Sequence, residues 1–203
     1  METHRRWVLG ISGASGAVYG VRLLQELCAM GYGVDLILSE AAKTVIREEM
    51  GIAVPSETEA VRRMLADALK VDTASLEVYG NGDFETPPAS GSYRSAGMVV
   101  APCSMGTLAA LAQGLANNLI RRAGDVMLKE KRPLILVPRE SPLSAIHLEN
   151  MLTLSRVGAV IVPPMPAFYQ GPQTVDDLIG FVVGRVLDVM GIEHRLFRRW
   201  KED

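Results

Sequence analysis

Short, nearly continuous apolar runs alternate along the chain with longer segments whose apolar residues recur every three or four positions. The runs at 7–11, 34–38, 98–101, 133–137 and 159–162 read as strands. The segments at 17–30, 41–50, 57–69, 105–113, 121–131, 144–157 and 175–190 read as helices. Strands that are hydrophobic at nearly every position belong to sheets covered on both faces. The pattern therefore predicts an α/β fold with a mostly parallel sheet. Such sheets bind ligands outside the carboxyl ends of their strands. The loops at 12–16, 39–40, 102–107, 138–142 and 163–172 should line that edge, and each is rich in Gly, Pro, Ser or charge. Residues 81–94 are the least regular and read as an exposed loop. With no internal repeat and no linker, 1–203 reads as a single domain.

Composition narrows the function classes. Hydrophobic residues make up 48% and charged residues 22%, an ordinary globular balance. The net charge of −2, from 23 acidic and 21 basic residues, gives no case for nucleic acid or an anionic membrane. The polar start through Arg6 argues against a secretory signal, and the charge-free stretch at 95–118 is broken by Pro102 and several glycines rather than reading as a membrane span. Cytoplasmic residence is the expectation. Cys28 and Cys103 suggest no disulfide framework. His4, His147 and His194 are scattered without metal-ligand spacing, so no metal site is expected.

Candidate chemistry begins at GISGASGAVY, where a strand enters a turn with glycines at 10, 13 and 16 and a helix follows. Glycines allow close backbone approach, and the unpaired amides of a helix start favour phosphate. The spacing is G-x-x-G-x-x-G, which is neither the dinucleotide fingerprint nor a P-loop. It suits a monophosphate held by hydroxyls and amides; the alternative is a tight turn with no ligand. In APCSMGT, Ser104 and Thr107 stand where hydroxyls either cap a helix or grip a ligand. Cys103 reads as a buried structural thiol.

Arg122 and Lys129 are seven apart and share one helix face, and Arg139-Glu140 follows a strand. Several cations meeting one carboxylate suit an anionic substrate and an acid–base group. Arg121, Lys131 and Arg132 read as a solvated face. The stiff loop PPMPAFY ends in Tyr169, either presented or merely packed. Arg185 lies beside Phe181 on an apolar strip, where a cation wants an anion.

In order along the chain, GISGASGAVYG, LSEAAK, APCSMGTLAALAQG, NLIRRAGDVMLKEKRPLILVPRE, PLSAIHLENM and GAVIVPPMPAFY resemble the UbiX family of flavin prenyltransferases, from Gly10 to about Arg185. One departure is Asn117, where the family often has aspartate. The resemblance implies a flavodoxin-like three-layer α/β/α domain that binds FMN. It implies transfer of a dimethylallyl group from dimethylallyl monophosphate to reduced FMN. The product, prenylated FMN, serves UbiD-type decarboxylases, for instance in ubiquinone biosynthesis. It implies a homo-oligomer, typically a dodecamer, with sites at subunit interfaces and a tail at about 191–203 that can close over a neighbouring site. Gly13, Ala14, Ser15, Ser39, Ser104, Met105, Gly106, Thr107 and Arg139 match FMN-binding positions. Arg122, Lys129, Tyr169 and Arg185 match the prenyl-phosphate site, and Ser15, Glu49, Lys129 and Glu140 are the implied catalytic groups.

The implied chemistry needs no metal. Convergent Arg, Lys and Tyr can stabilise the phosphate as it leaves. Glu140, with Ser15 as relay, can take the proton lost from the flavin ring. Trp200 offers a π surface to an allyl cation. A flavin-dependent cysteine decarboxylase and a flavin carrier are the competing readings. The first is disfavoured by the lack of histidine in the early region, the second by the number of cations.

Overall fold

The computed structural model describes residues 6–201. His4 lies outside the described residues. The elements run β1 (Arg6–Ile11), α1 (Ala17–Ala29), β2 (Gly33–Leu38), α2 (Glu40–Met50), α3 (Thr58–Leu69), β3 (Leu76–Gly80), β4 (Gly97–Cys103), α4 (Met105–Ala112), α5 (Leu119–Lys129), β5 (Leu134–Pro138), α6 (Ala145–Arg156), β6 (Val160–Ile161) and α7 (Val175–Met190). The strands form one sheet in the order β3-β2-β1-β4-β5-β6, with every pairing parallel. Leu9 stands opposite both Leu36 and Val99.

Alternate residues of each strand feed two separate cores, as the two-residue period of a strand requires. Leu9, Ile11, Leu36, Val99 and Ile135 pack on one side, against Leu24 of α1, Ile46 of α2, Leu65 of α3 and Val186 of α7. Val8, Ile37, Met98, Val100 and Leu136 pack on the other, against Leu108 of α4, Ile120 and Val126 of α5 and Leu154 of α6. The result is the expected three-layer α/β/α fold, with a sheet that is wholly parallel. No helix of the described residues is long and apolar enough to cross a membrane.

The sequence pattern missed β3. As an edge strand it pairs only with β2, so its LEVYG pattern buries Leu76 while Glu77 is exposed. It carries no continuous apolar run. The other five strands alone have the flavodoxin order, 2-1-3-4-5 when renumbered, and β3 extends that sheet by one strand. β4 runs on to Cys103 through a register shift, and α5 starts at Leu119 because the Asn118 side chain caps it by accepting from the Arg121 amide. The loop at 81–94 contains a short 3-10 turn at Pro87–Ala89 that buries Pro88.

From β1 the chain winds outward through β2 to β3, then crosses back to β4 beside β1 and winds the other way through β5 to β6. The crevice outside the carboxyl ends of β1 and β4 is therefore the topological switch point, where such sheets bind ligands.

Candidate active site

Ser12 stitches the switch point together. It is buried, its hydroxyl donates to the Pro102 carbonyl at 2.9 Å, and its oxygen accepts the Ser104 amide at 2.7 Å. The glycines around it are required by contact. A Cβ at Gly13 would fall 2.3 Å from Ala41 Cβ, and one at Gly20 would fall 2.1 Å from the Ala101 carbonyl oxygen. Gly16 adopts the left-handed φ of 98° that lets the turn enter α1. Ser15 is exposed, and its carbonyl accepts Arg139 Nε at 3.1 Å, so the loop after β5 grips the turn after β1.

The start of α1 holds a surprise for the phosphate reading of that turn. Glu49, in the last turn of α2, accepts the Gly16 amide at 3.0 Å and the Ala17 amide at 2.9 Å. The chain's own carboxylate thus fills the anion position at that helix start. A phosphate in this crevice must use other donors. Nearby Tyr19 has its phenol pushed up by burial, with Arg139 opposing and Glu49 adding to the rise.

The helix starts of α2 and α4 supply such donors. Ser39 caps α2 by accepting the Ala42 amide at 3.0 Å, which leaves its hydroxyl hydrogen for a ligand. Ser104 caps α4, accepting the Thr107 amide at 3.3 Å and donating to Thr107 Oγ1 at 3.1 Å. A Cβ at Gly106 would meet nothing within 4 Å, so this first turn lies open. Gly13, Ala14, Ser15, Ser39, Ser104, Met105, Gly106, Thr107 and Arg139 thus lie on the loops and helix starts that follow β1, β2, β4 and β5. Side-chain-free glycines, hydroxyls, amides and one guanidinium fit a flavin mononucleotide laid across this edge.

Arg121 is a correction. Expected on a solvated face, it is half-buried and braces α4, reaching the Asn117 side-chain oxygen at 2.6 Å and the Gly106 carbonyl at 3.5 Å. Asn117, the departure from the family pattern, thus meets this cation as a neutral amide. Cys103 is fully buried, and burial pushes its thiol up to about 12, which suits a structural role.

Other expected groups lie elsewhere. Glu140 is exposed and accepts the amide of its neighbour Ser141 at 3.0 Å; among the described residues no hydrogen bond joins it to Ser15. Arg122 and Lys129 face the loop at 81–94 instead of Arg139. Arg122 donates to the Ala89 carbonyl at 3.0 Å and pairs with Asp125 at 2.9 Å, lining an open groove of about 450 Å³ with Phe84, Thr86 and Ser90. Lys129 pairs with Glu130 beside Gly91, and the Glu130 carboxyl is held low by that hydrogen bond and charge. Arg132, also expected to be solvated, clamps the Gly91 carbonyl at 2.7 Å and the Tyr93 carbonyl. Sequence reasoning missed Phe84, 46% exposed beside Arg122. A lone aromatic in a polar loop was its only signal.

Tyr169 is exposed at the end of its proline-rich loop and meets Phe181 and Trp200 edge-on, with ring centroids 6.2 Å and 5.0 Å away. With Trp200 and residues 198, 199 and 201 it lines a cavity of about 380 Å³. Arg185 is exposed rather than set in an apolar strip, and the anion it finds is Asp188, one turn on at 2.7 Å.

The flavoprotein family model matches residues 1–187. The flavin prenyltransferase UbiX of Halalkalibacterium halodurans is 52% identical over 198 residues, covering 97% of this chain and 94% of its own. A solved UbiX in complex with FMN and dimethylallyl pyrophosphate superposes with a TM-score of 0.85 at 42% identity, over 98% of each chain. A dodecameric FMN-dependent UbiX-like decarboxylase from Escherichia coli gives 0.84 at 47% identity, covering 97% of this chain and all 100% of its own. With a matching family model and relatives this similar over nearly the whole length, the chain belongs to the UbiX family of flavin prenyltransferases.

Proposed function

We propose that this protein transfers the dimethylallyl group of dimethylallyl monophosphate to reduced FMN. The observation that carries the reading is the interlocked crevice at the ends of β1, β2, β4 and β5, in a chain similar throughout to named flavin prenyltransferases. Reduced FMN supplies the nucleophilic ring atoms that accept the prenyl carbon. Gly13, Ala14, Ser15, Ser39, Ser104–Thr107 and Arg139 hold it. Arg122, Lys129, Tyr169 and Arg185 bind the prenyl phosphate and stabilise its negative charge as the carbon–oxygen bond breaks. Glu140 receives the ring proton with Ser15 as relay, and Glu49 orders the glycine turn beneath.

Arg122 and Lys129 lie against the loop at 81–94, and in this reading they serve the crevice of a neighbouring copy. This requires a homo-oligomer, a dodecamer in our reading. The tail that carries Trp200 and the Phe84 ring shield the allyl carbon from water. The product passes to a UbiD-type decarboxylase in the cytoplasm.

Anaerobic incubation of the protein with reduced FMN and dimethylallyl monophosphate tests the reading. The flavin should gain the mass of one isoprene unit, and an unchanged flavin mass overturns the proposal. Cysteine decarboxylation is disfavoured by the described histidines. His147 sits in the capping box of α6 and His194 is buried against α7, so neither reaches the crevice.

A further inference from the structure

α7 carries a groove that its own C-terminal tail fills. Gly180 and Gly184 are four residues apart on one helix face. A Cβ at Gly184 would fall 2.6 Å from both the His194 and Phe197 rings, and one at Gly180 would fall 3.4 Å from the Leu196 carbonyl. Phe197 packs on Phe181 with ring centroids 5.0 Å apart. The His194 side chain is fully buried. Its Nδ1 accepts the Leu196 amide at 3.2 Å, which leaves Nε2 to carry the hydrogen and donate to Asp188 Oδ1 at 3.2 Å. Arg199 donates to the same oxygen at 2.8 Å.

The second oxygen of Asp188 accepts Arg185 Nη1 at 2.7 Å. Burial alone would raise this carboxyl, but the hydrogen bond and charge of Arg199, with His194, hold it below its usual range. One ionised carboxylate therefore ties the exposed Arg185 to two tail residues. Trp200, next to Arg199, meets Tyr169 edge-on at 5.0 Å.

We infer that Asp188 is a positioning residue for the prenyl phosphate, fixing Arg185 with one oxygen and the Trp200-bearing tail with the other. The inference rests on the reading that Arg185 and Tyr169 bind that phosphate. A guanidinium has five N–H donors, and Asp188 engages Nη1, so the rest of the fork can meet an anion in a fixed direction. A cation held in advance loses less freedom when its ligand arrives. Because Asp188 also anchors the tail, orientation of Arg185 and placement of Trp200 beside Tyr169 depend on one charge.

The test uses the full-length protein with reduced FMN and dimethylallyl monophosphate under anaerobic conditions. Asp188→Asn should raise KM for the prenyl phosphate about tenfold and lower kcat by a smaller factor, because Arg185 loses its fixed direction both when the phosphate binds and as it leaves. FMN affinity should not move. Trp200 emission should shift to the red as the tail leaves, with Trp200→Phe assigning the signal. Asp188→Glu keeps the charge and should recover most of the affinity. Gly184→Ala displaces the tail without touching a charge and should reproduce the emission shift with a smaller rise in KM. Equal KM values for Asp188→Asn and the unaltered protein, or for Asp188→Asn and Asp188→Glu, overturn the inference. Arg185→Ala separates the two layers: if it leaves KM unchanged, the reading of Arg185 itself fails. If it raises KM while Asp188→Asn does not, only the role of Asp188 fails.

Discussion

The carboxyl-edge crevice and the outer face of α5 both carry charged groups that sequence placed in one site, and they use them in opposite ways. At the crevice, Ser12, Glu49, Ser104 and Arg139 bind one another's loops, each reaching across a different strand end. Along α5, Arg122 and Lys129 engage acids within three residues of themselves, Asp125 and Glu130, and the loop at 81–94. Lys129 also lies about 10 Å down the helix axis from Arg122, two turns away from the carboxyl edge. Interlocked polar groups drawn from several strands make a pocket. A row of cations on one helix, whose acidic partners are near neighbours on that helix or at its end, makes a surface ready to exchange those acids for another anion.

That difference can be broken directly. Lys129→Ala should lower kcat/KM for dimethylallyl monophosphate about 100- to 1,000-fold, the scale of losing one preorganised charge at a leaving group. FMN affinity and thermal stability should hold, because Lys129 is exposed and distant from the crevice. A parallel loss of FMN binding would place it in the crevice of its own chain. Mixed oligomers sharpen the point. Lys129→Ala and Glu49→Gln subunits, each nearly inactive alone, should regain activity when dissociated together and reassembled, since some crevices then receive both intact groups. A mixture as inactive as its parents would show that both faces belong to one chain's site.

The two regions also differ in how far sequence could see them. Strands buried on both faces announce themselves through continuous apolar runs, and a cap such as Ser104 is local, so both were readable. The glycine turn was readable as a turn. That Glu49 would fill its amides was not, because 33 residues separate Glu49 from Gly16 and only the packing of α2 beside α1 joins them. Arg121 and Arg132 look like any surface cations in sequence. Arg121 has Asn117 one turn back, but the contacts that tie both cations into the fold, to the Gly106 and Gly91 carbonyls, are to backbone atoms that no residue type reveals. β3 hid because an edge strand needs only one apolar face. Helical spacing correctly put Arg122 and Lys129 on one face, but which cavity that face meets is a tertiary property.

Within the crevice, Ser12→Ala tests whether the interlock matters. The substitution strips the Pro102 carbonyl of a donor and the Ser104 amide of an acceptor in a buried site, and should cost about 2–3 kcal/mol. Urea unfolding would read the stability loss, and weaker FMN binding should accompany it, because Ser104 is aligned through this bond. The same substitution should leave inhibition by inorganic phosphate at the α5 face unchanged. Stability within about 0.5 kcal/mol of the unaltered protein would mean that the loops hold their places without Ser12.

The smallest effect should come from the far end of the sheet, where the α5 face is anchored. Tyr93 closes the loop at 81–94 and donates its hydroxyl to Asp35 Oδ2 at 2.7 Å; Asp35 is wholly buried, with Arg6 3.4 Å from its other oxygen. Burial raises the Asp35 carboxyl above its ordinary 3.8, against the pull of the Tyr93 hydrogen bond and of Arg6. A carboxyl raised on folding favours the folded state most below its unfolded value, and that contribution is lost as pH rises through the folded value. Tyr93→Phe removes one of the two groups that restrain the rise, so the folded value climbs further and more stability is lost on the alkaline side. The substitution should therefore cost little in acid near pH 4 and about 1 kcal/mol more near neutrality, measured by urea unfolding at both. It should loosen the loop that orients Arg122 and raise KM for the prenyl phosphate slightly, with FMN affinity untouched. An identical cost at both pH values would show that the Tyr93 hydroxyl does not sense the charge on Asp35. A change in FMN affinity would show that the two faces are mechanically joined through the sheet rather than independent.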